Sequence, residues 1–160
     1  MDPGLHDRHE QLIKFTHPMT TFKCITNFLL SVVYLLHRRS GCRPLEKITY
    51  GSDALPAHVM GARGAPAVIA VQEWWGVTPI IKRQAEALAA RGFRVLIPDL
   101  YRGKLGVERE EAQHLYDSLD WAAAVRQLAE AADHLRSEGS PSVGALGFCM
   151  GGALALATGP

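Results

Sequence analysis

A cysteine with glycines on both sides is the residue best suited for chemistry in this sequence. Residues 147–152 read Gly-Phe-Cys-Met-Gly-Gly, and this G-x-C-x-G pattern is typical of a sharp turn between a strand and a helix. Glycines suit such a turn because it is crowded and often holds its nucleophile at strained backbone angles. A cysteine at a helix N-terminus is favoured as a thiolate, and the amide of Met150 would face an oxyanion formed by its attack. The pattern predicts Cys149 as a nucleophile, and the alternative is a small buried residue at a glycine-rich packing turn.

Strands alternating with helices are predicted to position this turn. Segments of strand length occupy residues 67–71, 93–97 and 142–146. The first is a continuous apolar run, as expected of a strand that is covered on both faces, and the last is partly apolar. A hairpin of residues 47–50 and 57–60 around Gly51-Ser52-Asp53 precedes them. The pattern predicts an α/β fold, with a parallel sheet at the centre of a three-layer sandwich.

Helices are predicted between these strands from apolar residues at three- and four-residue steps. The first begins at Pro79 with Thr78 as its cap and is stopped by Gly92. The second covers about residues 107–135, with Asp120 as a cap or a break, and the third follows the Cys149 turn. In such folds the ligand site lies beyond the carboxyl ends of the strands, so residues 72–76, 98–104 and 147–152 are expected to meet there.

Glu73 is the acidic residue that is expected to lie near Cys149 where these three segments meet. It follows the first parallel strand and precedes Trp74 and Trp75. A carboxylate in an apolar setting holds its proton more tightly and can exchange it with a nearby thiol. The alternatives are a solvated loop carboxylate for Glu73 and ordinary packing, rather than a pocket lining, for the two tryptophans.

Three motifs in this order resemble the dienelactone hydrolases (carboxymethylenebutenolidases) of the α/β-hydrolase superfamily. They are VQEWWGV at residues 71–77, PDLY at residues 98–101 and GFCMGGA at residues 147–153. The resemblance extends from about Thr49 to the end of the sequence. It implies an α/β-hydrolase fold and hydrolysis of small lactones or carboxylic esters through an acyl-enzyme intermediate.

The resemblance also implies roles at the matching positions. Cys149 corresponds to the nucleophile, and Glu73 corresponds to an acidic residue that helps to switch the thiol to its active form. The backbone amides of Trp74 and Met150 correspond to the oxyanion hole. Arg109 lines up with an arginine that can bind the substrate carboxylate, although we favour a solvated helix face for it.

A thiol hydrolase also needs a base, commonly a histidine oriented by a carboxylate, and in this fold both follow the nucleophile. Residues 150–160 contain no Asp, Glu or His, and all seven histidines precede Cys149. His114 and His134 are expected to face solvent on helices and His58 falls in the hairpin, so we assign none of them as the base.

This leads to the expectation that the domain of residues 45–160 is truncated after the Cys149 turn, with the last strand as an exposed sheet edge. The alternative function is a non-catalytic remnant that binds a small molecule or a partner at most. A redox-sensing role for Cys149 is a weaker option, because no resolving cysteine is near it in sequence.

Composition excludes several other classes of function. The net charge is +1 from 17 basic and 16 acidic residues, which argues against binding to nucleic acid. The expected partner, a small ester or lactone, is the one that the family resemblance implies. Three cysteines without metal-ligand spacing suit a reducing, cytoplasmic compartment. No phosphate-loop, dinucleotide or zinc motif is present, so we expect no cofactor and no metal.

Residues 1–44 form a separate N-terminal extension. The apolar run of residues 28–36 is about half of the ~20 residues that span a bilayer, so membrane contact by residues 22–39 is not favoured. Three interpretations are open: an atypical targeting segment over residues 19–39 for an organelle or secretion, an amphipathic surface-bound helix, or mistranslated upstream sequence. We slightly favour the last.

Overall fold

The computed structural model describes residues 44–158. The interpretations placed on the N-terminal extension therefore lie outside the described residues, apart from Pro44 at its end. In the described part the chain forms five strands and four helices: β1 (Glu46–Tyr50), β2 (Leu55–Met60), β3 (Ala67–Val71), α1 (Pro79–Ala89), β4 (Arg94–Pro98), α2 (Arg109–Asp117), α3 (Trp121–Ser137), β5 (Val143–Gly147) and α4 (Met150–Ala157). None of these helices is long and apolar enough to cross a bilayer.

The strands form one sheet in the order β1-β2-β4-β3-β5. β3 runs parallel to β4 and to β5, whereas β2 runs antiparallel to both β1 and β4. The predicted hairpin and the predicted parallel set are both present. Within the described residues β5 is an edge strand, as expected, and β3 is flanked on both sides.

Helices cover the two faces of this sheet because successive strand residues point to opposite sides. One face, which includes Ile69 and Leu96, packs against Leu128 and Leu135 of α3 and Leu154 of α4. The other face packs against α1 through a smaller cluster whose members are Met60, Ala70, Val77, Ile81, Ala85, Val95 and Ile97. The fold is therefore the three-layer α/β sandwich that the alternation of strands and helices predicts.

The long helical stretch predicted for residues 107–135 is two helices. Asp120 is the N-cap of α3, and its Oδ1 accepts a hydrogen bond from the amide of Ala123 at 2.9 Å. Glu108 and Glu111 form a reciprocal capping box at the start of α2. Thr78 holds the N-cap position of α1 but makes no side-chain capping bond, so Pro79 supplies the sequence signal at that helix start.

A buried ion pair joins the start of β4 to the end of α3. The guanidinium of Arg94, 3% exposed, donates to both carboxylate oxygens of Glu138 at 2.8 and 2.9 Å and to the carbonyl of Gly61 at 2.9 Å. Burial alone would raise the pKa of the Glu138 carboxyl, but Arg94 outweighs it and holds that pKa below its ordinary value. This pair stabilises the end of the sheet that lies away from the strand carboxyl ends.

Candidate active site

The predicted strand-to-helix turn is present, and Cys149 is its strained residue. β5 ends at Gly147 and α4 begins at Met150. Cys149 has φ 53° and ψ −124°, a conformation that non-glycine residues rarely adopt and that costs about 1–3 kcal/mol. Its thiol is free and exposed. The alternative that Cys149 fills buried space is therefore wrong.

Gly147 and Gly151 have no room for side chains, because the backbone of neighbouring segments occupies the space that a Cβ atom would need. A Cβ on Gly147 would overlap the backbone carbonyl of Gly151. A Cβ on Gly151 would lie 2.5 Å from the carbonyl oxygen of Val71 and 2.6 Å from that of Gln72. The first turn of α4 thus packs directly on the end of β3, which brings Cys149 to the segment that carries Glu73.

That segment is a tight turn over residues 73–76. The amide of Gly76, with φ +94°, donates to the carbonyl of Glu73 at 3.1 Å. The rings of Trp74 and Trp75 meet edge to face with centroids 4.9 Å apart, and both residues are half-buried, as is Glu73. The turn is a compact unit that presents a carboxylate and two aromatic rings at the end of β3.

The loop after β4 packs against this turn. The amide of Gly106 donates to the carbonyl of Trp75 at 3.1 Å. A Cβ on Gly76 would lie 2.7 Å from the carbonyl oxygen of Lys104. The predicted meeting of residues 72–76 with residues 98–104 is therefore confirmed by direct contact.

Gln72 is a residue of this region whose role the sequence did not reveal. It is fully buried, and its Oε1 accepts a hydrogen bond from the amide of Leu100 at 3.0 Å. Asp99, also buried, accepts from the amide of Gly103 at 2.8 Å through Oδ2. Gln72 therefore joins the end of β3 to the loop after β4, and Asp99 fixes that loop from within. The available signal was a polar amide directly after a fully apolar strand.

Tyr101 was noted in the sequence only as part of a motif, and the structure links it to Met150. Its hydroxyl donates to the Met150 Sδ at 3.3 Å, and both residues are buried. Burial, together with the neighbouring charges of Tyr116 and Cys149, raises the pKa of Tyr101 to about 12. The hydroxyl therefore keeps its proton and remains a donor at neutral pH.

Arg109 lies apart from these buried contacts. It is the first residue of α2 and is exposed to solvent. Its position fits the solvated helix face that we favour from the sequence. The role as a binder of the substrate carboxylate stays a prediction.

The histidines described by the structure are placed differently from one another. His114 is exposed on α2, as expected. His134 is half-buried, and its ring lies 5.9 Å from that of Tyr50, so the expectation that it faces solvent is wrong. The reason is that Tyr50, the last residue of β1, lies beside α3. No histidine between residues 44 and 158 is hydrogen bonded to Cys149.

His58 is buried on β2, paired with Ile97 of β4. Burial lowers the pKa of this imidazole, the charges of Lys82 and Lys47 lower it further, and Asp99 acts in the opposite direction. It is therefore a neutral core residue at physiological pH. Between residues 44 and 158 no group of three or more His, Cys, Asp or Glu residues could hold a metal ion.

Comparison with known proteins identifies the family. Residues 53–159 match the family described as "Dienelactone hydrolase family". Carboxymethylenebutenolidase 1 of Cupriavidus pinatubonensis is 35% identical over 103 residues, which are 58% of this chain and 44% of that protein. The carboxymethylenebutenolidase of Rhodococcus opacus is 30% identical over 137 residues, which are 78% of this chain and 54% of that protein. The chain thus spans about half the length of these relatives.

Solved structures agree on the fold. A dienelactone hydrolase-like promiscuous phosphotriesterase from metagenomic libraries superposes with a TM-score of 0.59 at 25% identity, over 72% of this chain and 53% of that one. A cold-adapted esterase from an Arctic intertidal metagenomic library superposes with a TM-score of 0.58 at 16% identity, over 75% of this chain and 58% of that one. Together with the match over residues 53–159, these similarities show that the chain belongs to the dienelactone hydrolase family of α/β hydrolases.

Proposed function

We propose that this chain carries the nucleophile half of a hydrolase that acts on small lactones or carboxylic esters. The observation that supports it most directly is the exposed thiol of Cys149, which is held in a strained conformation at the start of α4. This turn packs on the end of β3, beside the segment that carries Glu73. The relatives named carboxymethylenebutenolidase support the same substrate class.

In the proposed reaction the Cys149 Sγ attacks the carbonyl carbon of the ester or lactone as a thiolate. The carbonyl oxygen becomes an oxyanion, which the backbone amides of Trp74 and Met150 stabilise. The bond to the leaving oxygen then breaks, which leaves a thioester on Cys149, and water hydrolyses this thioester to release the acid and the thiol. Met150 is suited to its role because it is the first residue of α4, where the amide has no partner within the helix.

Glu73 and Arg109 complete the proposed set. Glu73 lies at the end of β3 and is half-buried, and we assign to it the proton exchange that activates the thiol. Arg109 is exposed on α2, where it is available to the carboxylate of a substrate. We place the protein in a reducing compartment such as the cytoplasm, since it keeps an exposed free thiol.

Between residues 44 and 158 no hydrogen bond joins the Cys149 thiol to a histidine or a carboxylate. We propose that the base and its orienting acid are supplied by residues outside this described part. This arrangement supports a second candidate function, in which the given chain binds a small molecule without turning it over. The two candidates differ in whether Cys149 forms an acyl intermediate.

The test uses the full 160-residue chain with Cys24→Ser and Cys42→Ser, so that Cys149 is its only thiol. Mixed with p-nitrophenyl acetate in a stopped-flow instrument, this chain is expected to release about one equivalent of p-nitrophenol in a burst, because acylation needs the nucleophile first and deacylation needs the base. Mass spectrometry of the quenched reaction locates the acetyl group on Cys149.

The matched variant is Cys149→Ala in the same background. An equal burst in this variant would overturn the proposed nucleophile. Alkylation of Cys149 by iodoacetamide without any burst would favour the non-catalytic candidate, because the thiol would then be accessible but not competent for attack on an ester.

A further inference from the structure

Tyr101 contacts both segments that carry the proposed oxyanion-hole amides. Its hydroxyl donates to the Sδ of Met150 at 3.3 Å. Its ring lies against the turn of residues 73–76, since its Cδ2 is 3.4 Å from the position of a Cβ built on Gly76. The side chain is 6% exposed, so these contacts are made within the packed interior and not through solvent.

The backbone around Tyr101 is itself held at several points. Gln72 binds the amide of Leu100 at 3.0 Å and Asp99 binds the amide of Gly103 at 2.8 Å. The carbonyl of Tyr101 accepts from the amide of Lys104 at 3.2 Å. These bonds restrict the backbone of the loop. The Tyr101 side chain is therefore held in a fixed position relative to the ends of β3 and β4, and it can hold the residues that it contacts.

We propose that Tyr101 is the positioning residue of the oxyanion hole: its ring holds the turn of residues 73–76 and its hydroxyl holds Met150. The amides of Trp74 and Met150 then keep the spacing that one oxyanion between them requires. The inference rests on the proposed function. It adds a residue that acts through the Met150 side chain and the turn of residues 73–76, and it predicts which part of the reaction depends on that residue.

The contacts of Tyr101 are expected to affect the rate of acylation for two physical reasons. Oxyanion donors must lie about 2.7–3.1 Å from the developing charge, and a misplacement of about 1 Å can cost roughly a hundredfold in rate. The hydroxyl of Tyr101 also stays protonated across the range in which thiols ionise, since burial first, and then the charges of Tyr116 and Cys149, raise its pKa to about 12. The bond to Met150 therefore persists when the thiolate forms.

The experiment compares two reactions of the same thiol in the background that retains only Cys149. Acylation by p-nitrophenyl acetate develops an oxyanion, whereas alkylation by iodoacetamide does not. Tyr101→Phe keeps the ring and removes the hydroxyl, and Met150→Leu keeps a similar volume and removes the acceptor. Tyr50→Phe is the matched control, because it removes another buried hydroxyl, which donates to the carbonyl of Gln127 at 3.1 Å.

Tyr101→Phe is expected to slow acylation by about fivefold to tenfold while alkylation stays within about twofold, because only the oxyanion depends on the amide positions. Met150→Leu is expected to slow acylation to a similar extent. The double variant is expected to be acylated no more slowly than either single variant, since each substitution removes the same hydrogen bond. Equal losses in both reactions, multiplicative losses in the double variant, or the same loss in Tyr50→Phe would overturn the inference.

A second measurement needs no ester. The ¹H–¹⁵N chemical shift of the Met150 amide is expected to move in Tyr101→Phe, which removes the bond to its side chain. That of the Trp74 amide is expected to move in Tyr101→Leu, which removes the ring, and neither shift is expected to change in Tyr50→Phe. If the parent chain is alkylated but not acylated, the proposed function fails and these shifts alone decide the inference. An unchanged Met150 shift in Tyr101→Phe, or an unchanged Trp74 shift in Tyr101→Leu, would overturn it.

Discussion

At the scale of single residues, the candidate site stores strain in the residue that would do the chemistry. Among the described residues Ala54, Arg102 and Cys149 have positive φ without being glycine. Cys149 has ψ −124° in addition, which lies outside the left-handed helical region that Asn or Asp tolerate. The chain keeps a side chain there because the turn points the thiol outwards.

Replacing Cys149 by glycine is expected to stabilise the fold while removing its chemistry. Cys149→Gly should unfold with a free energy about 1 kcal/mol higher than that of Cys149→Ala, because relief of the strain exceeds the entropy that glycine adds to the unfolded chain. Urea denaturation followed by circular dichroism measures both. Equal stabilities of the two variants would mean that the backbone relaxes once the thiol is gone.

Gly151 is the glycine of the turn at which added volume should matter most. Gly151→Ala is expected to cost about 1–3 kcal/mol in the free energy of unfolding and to slow acylation of Cys149, because its Cβ would meet the backbone of β3. The neighbouring Gly152→Ala is the control for a milder contact, since its Cβ would lie 3.2 Å from the carbonyl oxygen of Gly147, against 2.5 Å from that of Val71 for Gly151, and alanine favours a helix by about 1 kcal/mol. A smaller loss of unfolding free energy for Gly151→Ala than for Gly152→Ala would contradict this account of how the turn around Cys149 packs on β3.

At the scale of elements, β4 is held by an ion pair at its start and by hydrogen bonds to the loop after its end. At its start Arg94 is paired with Glu138 of the α3 C-cap. After its end Gln72 and Asp99 bind the loop that leads to Tyr101. The bonds of Arg94 to Glu138 and of Gln72 to Leu100 join segments that are distant in sequence, so both ends of β4 are held by tertiary contacts.

Removing the carboxylate of the ion pair is expected to destabilise the fold strongly. Glu138→Gln should cost about 3 kcal/mol, since it leaves the buried Arg94 guanidinium unpaired. Because folding lowers the pKa of Glu138 from its ordinary value of 4.5, its contribution is complete above that value and is lost as the pH falls through the lowered pKa. The difference between parent and variant should therefore shrink below about pH 4.5 in urea titrations.

Asp133→Asn is the control for the ion pair. Asp133 is paired with Arg136 at 2.9 Å, but the two side chains are 77% and 50% exposed, so its loss should change stability by less than about 0.5 kcal/mol. A pH-independent difference for Glu138→Gln would show that packing, and not charge, accounts for its effect.

At the scale of the whole molecule, the sheet order places Glu73 after a strand that is flanked on both sides and Cys149 after a strand at the edge of the described sheet. β3, which leads to Glu73, lies between β4 and β5. β5, which leads to Cys149, pairs with β3 alone among the described residues. The two halves of the site are thus expected to differ in local stability.

Hydrogen exchange of the full chain tests this difference. Amides of β3 are expected to exchange slowly because strands flank it on both sides. Those of β5 that point away from β3 are expected to exchange at least about tenfold faster, because they have no strand partner in the described sheet. Mass spectrometry or nuclear magnetic resonance resolves the two strands. Equal protection throughout β5 would mean that its outer edge is covered in solution, and a dependence on protein concentration would identify a second copy as the cover.

The predictions from sequence were most accurate where the determining interactions are local. The alternation of strands and helices, the turn around Cys149 and the meeting of the three motifs follow from apolar runs, glycines and caps within short windows. The long helical stretch divides at Asp120, which was expected as a cap or a break. The predicted strands for residues 93–97 and 142–146 each lie one residue before β4 and β5, because hydrogen bonding, and not hydrophobicity, sets the bounds of a strand.

The sequence by itself determined the order of the strands and helices and the turn that holds Cys149, the candidate nucleophile, because motifs and caps act over a few neighbouring residues. Only the tertiary structure decided that Arg94 is paired with Glu138 across 44 positions and that Tyr101 is bonded to Met150 across 49. It also decided that His134 is packed beside Tyr50. Such contacts depend on the order of strands in the sheet and on which helix covers each face, and these are properties of the packed chain as a whole.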